Sequence, residues 1–502
     1  MRGKCLMVQG TGSSVGKSLL CTALLRILKN DGYRAAPFKA QNMALNSFVT
    51  KSGEEMGRAQ VTQAQAAGME PCVLMNPILL KPTSDRLSQV IVMGKPLGNM
   101  SAAQYHTYKP RLRETVRRAY EELESDVDFV VIEGAGSPAE INLREGDLVN
   151  MAMAETADAP VLLVGDIDLG GVFASLYGTV KLLQEDEQRR IRGFIINKFR
   201  GDVELLKPGI QMIEERIGIP CLGVVPYLDI DLADEDSVTD RFLRTRGEGA
   251  VRAAVVKLKH ISNFTDFQML PYLPGVSLCY AETAQDLEDQ DIILIPGSKN
   301  TIEDLLDLRA RGMEAALVRH ARKGRLLMGI CGGYQMLGHL LRDPDHVESC
   351  VPETSGLGLL DLDVTFAKEK TTLQSQGVIT GRGWLGQLAG TIVDGYEIHA
   401  GRSKFGKDCH TWLTMSDGSI DGVSNEQGNV LGTYLHGVFD SGHLWKHMVD
   451  FARRQKGMAP ATGEMISLDA FREKEFDRLA AAVRQSLDMN RIYALLKGET
   501  DV

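Results

Sequence analysis

Short apolar runs separated by polar, helix-periodic stretches recur along the chain, at residues 5–8, 127–132, 160–164, 193–196 and 221–225. Runs of this length without polar alternation predict strands buried on both faces. Amphipathic stretches between them, such as residues 19–29, predict the crossover helices of a parallel sheet. The rhythm breaks over residues 231–250, where an acidic stretch ending at Asp236 gives way to a polar one from Arg241 to Gly249. It resumes at Val251, with further apolar runs at 291–295 and at 326–330, the second ending against Cys331. The pattern predicts an α/β chain of two doubly wound, mostly parallel-sheet domains, residues 1–230 and 251–495, joined by a linker over 231–250. It shows no internal repeat, heptad array or low-complexity tract.

The ends of the predicted strands carry the chemistry. The first runs into Gln9-Gly10-Thr11-Gly12-Ser13-Ser14-Val15-Gly16-Lys17-Ser18 and then into an amphipathic helix. In a strand, glycine-rich loop and helix of this kind, the backbone amides from Gly10 to Gly16 would cradle phosphate oxygens. Lys17 would supply a point charge and the Ser18 hydroxyl would ligate magnesium. Five residues rather than four separate Gly10 from Gly16, a longer loop that resembles the one in dethiobiotin synthetase. Glu133 closes another strand before Gly134-Ala135-Gly136, placing a carboxylate at the sheet edge where ligands bind, and is a candidate magnesium ligand. Asn197, at the end of a third, has the donor and acceptor to meet the edge of a base. Lys39 offers a second cation near the phosphates. Asp166 and Asp168 follow a further strand and could bind metal, position substrate or cap the next helix.

In the second half, an apolar strand delivers Cys331 into a turn rich in glycine, Gly329-Ile330-Cys331-Gly332-Gly333. Such an elbow exposes a sulfur and points the following amides toward a developing oxyanion. A second hydrophobic run, 430–435, delivers His436, the base that a thiolate nucleophile requires. Glu397 and His399 bracket Ile398 on a strand and face the same side; they could help bind substrate, support His436, or form a hydrogen-bonded pair. Two other groupings read as structural. The arginines at 111, 113, 117 and 118 share a helix with Glu114, Glu121 and Glu122 and read as a solvated face. His443 and His447 have a ligand-compatible spacing but no third ligand.

Composition narrows the class. With 502 residues the chain can bury full cores in each domain. Eight cysteines without paired spacing indicate neither a disulfide framework nor a zinc ribbon, and predict a reducing, cytoplasmic setting. A net charge of −10 argues against nucleic acid as partner. No leader is expected before the first strand, and no apolar run approaches the roughly 18 residues that span a bilayer.

Several longer segments together resemble the cobyric acid synthase family: residues 37–47 around Lys39-Ala40-Gln41-Asn42, residues 166–179, Ile261-Ser262-Asn263-Phe264-Thr265-Asp266-Phe267, residues 296–301, and Tyr396-Glu397-Ile398-His399. The resemblance runs nearly end to end. It implies a dethiobiotin-synthetase-like, P-loop ATPase domain joined to a class I glutamine amidotransferase domain. It also implies ATP- and glutamine-dependent amidation of the b, d, e and g carboxylates of adenosylcobyrinic acid a,c-diamide through acyl phosphates. Lys17 and Ser18 would then hold ATP and magnesium, Cys331 would be the nucleophile and His436 its base, and the oxyanion would lie between the amides of Gly332 and Gly297. Two positions depart from the expected pattern: Leu169 stands where an arginine is expected, and His436-Gly437-Val438 lacks the glutamate that orients the histidine in most class I amidotransferases. The alternatives are a cobyrinic acid a,c-diamide synthase of the same architecture and a regulatory P-loop ATPase with an inactive amidotransferase domain. Thr11, where partition-type ATPases carry an extra lysine, speaks against the latter.

Overall fold

A computed structural model describes residues 4–84, 87–232, 249–463 and 467–499, and the chain divides into two compact units. The first comprises residues 1–43, 56–233 and 472–502; the second comprises 44–55 and 234–471.

The first unit is built on a six-stranded parallel sheet. Its order is Cys221–Pro226, Ile191–Phe199, Val161–Asp166, Cys5–Gly10, Phe129–Glu133 and Ala35–Phe38. Strand Cys5–Gly10 pairs with both Val161–Asp166 and Phe129–Glu133, and every one of its residues is buried. The chain lays strands to one side of it first and to the other side afterwards. The direction of winding therefore reverses at Cys5–Gly10, the switch point at whose carboxyl end open α/β sheets bind ligands. Helix Lys17–Asn30 covers one face through Leu20, Leu24 and Leu28. A smaller sheet, Gln41–Met43, Ile78–Ser84, Leu87–Val92 and Lys95–Ser101, completes the unit.

The second unit holds a large mixed sheet. Strands Val276–Ala281, Val251–Val256, Ile292–Ile295, Leu326–Ile330 and Val430–Thr433 run parallel. Beyond Val430–Thr433 the sheet turns antiparallel, through Ile420–Ser424, His410–Met415 and the long strands Leu362–Ile379 and Ile392–Phe405. The α/β class agrees with the periodicity, and the antiparallel extension explains why the strands after residue 360 alternate where the parallel ones read as continuous apolar runs.

The division departs from contiguous domains in two places. Residues 472–495 were expected in the second domain but pack in the first unit, as do the residues that follow them. There Phe476, Leu479 and Val483 of helix Leu468–Ser486, with Ile492 and Leu496 of Met489–Lys497, share a core with Leu24 and Leu28. Arg26 adds ion pairs with Glu473 and Asp477, each 2.8 Å long. Residues 44–55, within the first domain by position, belong to the second unit. Of the expected linker, residues 233–248 lie outside the described residues; Leu232 just before them is buried in the core of the first unit.

Candidate active site

At the carboxyl end of Cys5–Gly10 the loop turns through Gly16, whose φ of 100° lies in the left-handed region. A Cβ there would stand 2.1 Å from Asn197 Nδ2, so space and backbone both call for glycine. Lys17 opens the helix and curls back over the loop, donating Nζ to Gly12 O at 2.8 Å and Gly136 O at 3.0 Å. Glu133 is the hub beneath it. Its Oε1 accepts from Ser18 Oγ at 2.7 Å and from Lys39 Nζ at 3.0 Å, and its Oε2 from Gln63 Nε2 at 2.5 Å. A carboxylate only 1 % exposed needs this full set of donors.

Thus Gly10 to Ser18, Lys39 and Glu133 come together as the sequence implied, with Gln63 as an added member. Asn197, expected at a base edge, donates Nδ2 to Val15 O at 2.8 Å and braces the loop. Asp166 is paired with Lys198 at 2.7 Å and accepts from the Asp168 amide, while Asp168 pairs with Arg200 at 3.0 Å. Of the roles open to these acids, ion pairing within the turn is the one realised here.

In the second unit Cys331 follows strand Leu326–Ile330 with φ 49° and ψ −108°, a backbone conformation that a non-glycine residue adopts only under constraint. The helix Gly332–Met336 follows at once. A Cβ on Gly333 would fall 2.1 Å from Ile295 O, so the elbow can press this closely on the neighbouring strand only with glycine. Methyl groups built on Gly332 and Gly297 would meet Ser298 N at 2.7 Å and His436 Cε1 at 3.4 Å, which puts both expected oxyanion glycines at the same centre. The first amides of a helix have no intrahelical partner, so that of Gly332 is available by position.

His436 is fully buried, and the Cys331 sulfur is among the groups that raise its pKa. Its orienting group is Asp266: Oδ2 lies 2.7 Å from His436 Nδ1, and Oδ1 accepts from the Gly437 amide at 2.9 Å. Asp266 is the functional residue that the reading of single motifs missed. It stands 170 residues from His436, and its only sequence signal was its place in the Ile261–Phe267 segment that resembled the family. Burial pushes the His436 pKa down, but the Asp266 carboxylate and the Cys331 sulfur outweigh it and raise the pKa to about 10. At neutral pH the ring is therefore an imidazolium.

Glu397 and His399 form the hydrogen-bonded pair, at 3.2 Å, with Ser375 Oγ on Glu397 at 2.6 Å. Burial raises the Glu397 pKa, and His399 with Ser375 more than offsets this, so its carboxyl lies below the usual range. The pair does not support His436. His399 stacks on Tyr434, ring centroids 3.9 Å apart, and Gln335 reaches the same Tyr434 hydroxyl at 3.4 Å. The arginine-rich helix carries Arg117 and Arg118 paired with Glu114 and Glu121 on an exposed face, as expected.

Among the described residues no group of three or more His, Cys, Asp or Glu side chains could hold a metal, His443 and His447 included. A magnesium site of the phosphate-loop kind needs less, because substrate phosphates and water complete it. Ser18 Oγ and Glu133 Oε1, 2.7 Å apart, are hard oxygens about as close as neighbouring ligands of a magnesium ion at 2.0–2.1 Å, and so fit one.

Residues 252–444 match the family described as a CobB/CobQ-like glutamine amidotransferase domain, and residues 6–237 match the CobQ/CobB/MinD/ParA nucleotide binding domain. The chain is 50% identical, over 99% of both chains, to a cobyric acid synthase of Thermoanaerobacter sp. (strain X514). It is 51% identical to one of Alkaliphilus metalliredigens (strain QYMF), over 98% of this chain and 100% of the other.

Proposed function

The chain belongs to the cobyric acid synthase family, and from that premise we propose that it converts adenosylcobyrinic acid a,c-diamide to adenosylcobyric acid by amidating the b, d, e and g carboxylates. It is a glutamine-dependent ligase of cobalamin biosynthesis. The observation that carries the reading is one chain holding both a complete phosphate loop and a cysteine elbow backed by an Asp266–His436 pair.

In the glutaminase half the Cys331 thiolate attacks the side-chain carboxamide carbon of glutamine. Negative charge then gathers on the oxygen toward the Gly332 and Gly297 amides, each such donor lowering the barrier by about 3 kcal/mol. The His436 imidazolium, steadied by Asp266, passes its Nε2 proton to the departing nitrogen, so ammonia leaves and a thioester remains. Neutral His436 next takes a proton from water as that water cleaves the thioester, releasing glutamate and restoring the ion pair.

In the synthetase half a corrinoid carboxylate attacks the γ-phosphorus of ATP and ADP departs; ammonia then attacks the carbonyl carbon of the acyl phosphate and displaces inorganic phosphate, leaving the amide. Lys17 and the loop amides hold the transferring phosphoryl group, with Lys39 close by. Ser18 and Glu133 would hold magnesium, which supplies further neutralisation of phosphate charge when bound.

Mass spectrometry of quenched reactions with ATP, magnesium and glutamine tests the substrate claim. The expected course is a,c-diamide passing through partly amidated species to the hexa-amide, because four sites must each reach a near-attack geometry in turn. Unchanged diamide, with amidation of the undecorated acid instead, would establish the a,c-diamide synthase reading.

A further inference from the structure

One buried carboxylate of the second unit takes no part in either half-reaction. Asp304 lies in the first turn of helix Thr301–Ala310 and is 1 % exposed. Its Oδ2 accepts from Ser298 Oγ at 2.6 Å, while its Oδ1 accepts from the His260 amide at 3.1 Å and lies 2.9 Å from His260 Nδ1. The Asp304 bond raises the His260 pKa and burial lowers it by less, so the pair favours a charge-assisted bond. A buried acid whose donors come from two other segments ties those segments together.

The two segments lead through a short antiparallel ribbon, Ile261–Ser262 with Gly297–Ser298, in which Ile261 faces Ser298 and Ser262 faces Gly297. Asp304 grips it at one end, where the Lys299 amide also donates to His260 O at 2.9 Å and the Asn300 amide to Ser298 Oγ at 3.0 Å. Just beyond that end each strand delivers part of the glutaminase centre. Gly297 carries an amide expected at the oxyanion, and Gly332, the other expected donor, is pressed so closely on Ser298 that a methyl group built on it would meet Ser298 Cβ at 2.9 Å. On the opposite strand the chain turns at Asn263, φ 52°, into the segment whose Asp266 holds His436. A ribbon of two residue pairs has too few bonds of its own to fix its place. A shift of about 1 Å at Ser298 would pass directly to Gly297, and misplacement on that scale is enough to slow a reaction about 100-fold.

We propose that Asp304, acting through Ser298 and His260, is a positioning residue of the glutaminase: it clamps the ribbon so that the Gly297 amide meets the oxyanion while Asp266 holds His436 beside it. This rests on the reading of Cys331 and His436 as a glutaminase. The oxyanion forms only once the Cys331 sulfur has added to the carbonyl carbon. A clamp that aims its donor therefore acts on the transition state and leaves the binding of glutamine alone.

The test measures steady-state glutamate release by the full chain, together with inhibition by glutamate γ-semialdehyde. The Cys331 thiolate adds to the aldehyde carbon of this probe, the carbonyl π pair moves onto oxygen, and that oxygen takes the oxyanion position. Ser298→Ala and Asp304→Ala should lower kcat by about tenfold to 100-fold, up to the low end of what loss of a whole donor costs. KM for glutamine should stay within about twofold of the parental value, as for an interaction made only in the transition state. The inhibition constant of the semialdehyde should rise by the same factor as kcat falls. Asp304→Asn, which keeps an acceptor for the His260 amide, should recover part of both losses. Ser298→Ala removes a single oxygen atom and leaves Asp304 bonded to His260, so it stands as the deciding variant if Asp304→Ala does not fold. Parental kcat in Ser298→Ala, or a fall in kcat with the semialdehyde bound as tightly as by the parent, would overturn the clamp. Glutamate release that persists in Cys331→Ala would instead overturn the glutaminase reading beneath it.

Discussion

The phosphate loop and the cysteine elbow are two solutions to one problem, presenting a reactive side chain where a parallel strand meets a helix. In the loop the left-handed backbone falls on Ser14 at φ 56° and Gly16 at φ 100°, ahead of the reactive groups, so Lys17 and Ser18 start an ordinary helix. At the elbow the nucleophile itself, Cys331, takes φ 49° and ψ −108°, and glycines serve only to let neighbours close in. The charges are handled differently as well. The loop buries Glu133 under three neutral or cationic donors that ligands can draw away, whereas the elbow buries His436 in a fixed pair with Asp266. A site that must exchange phosphates is built from replaceable contacts. A site that must hold a proton is built from permanent ones.

The largest expected effect breaks the loop alone. Lys17→Ala should abolish amidation from either glutamine or ammonia, since both need the phosphorylated carboxylate, while glutaminase activity survives at least in part. Parental ammonia-driven product formation in that variant would refute the phosphate-loop reading. Asp266→Asn attacks the elbow only: it keeps the shape of the side chain but cannot stabilise the imidazolium. Glutamate release should fall by about 100-fold to 10,000-fold, with ammonia-dependent synthesis unchanged, in steady-state assays of both half-reactions.

That second variant marks the boundary of what could be read from sequence. The α/β class, the loop, Glu133, Lys39, Cys331 and His436 were legible because each sits at the end of a strand within a local motif. Asp266 was not assigned a role, because nothing local says that a residue 170 positions before His436 will lie 2.7 Å from its ring. The same limit hid the placement of residues 44–55 and 472–495, whose partners are set by tertiary packing. For the later segment, the apolar positions of helix Leu468–Ser486 mark a buried face, but only the folded structure shows that this face packs on Leu24 and Leu28.

The pH dependence sharpens the contrast. Because the folded pKa of His436 is raised to about 10 from an unfolded value of 6.5, the stabilisation from its pair with Asp266 is fully present below about pH 6.5 and is lost as pH rises through about 10. Glutaminase activity should therefore hold to high pH and fall on an alkaline limb near 10. Asp266→Asn should move that limb toward neutrality, and an unmoved limb would mean that another group sets it. The smallest effect is expected from Glu397→Gln: it weakens the pair with His399 but leaves Asp266 in place. The rate of glutamate release should change by no more than about tenfold, with the alkaline limb where it was.

The central claim is that the elbow only makes ammonia and the loop only activates carboxylates. Its most direct test is Cys331→Ala assayed for corrinoid amidation with glutamine and with ammonium salt in parallel. The account predicts no product from glutamine and parental product from ammonia. Loss of both activities in a protein whose fold is intact by circular dichroism would contradict it.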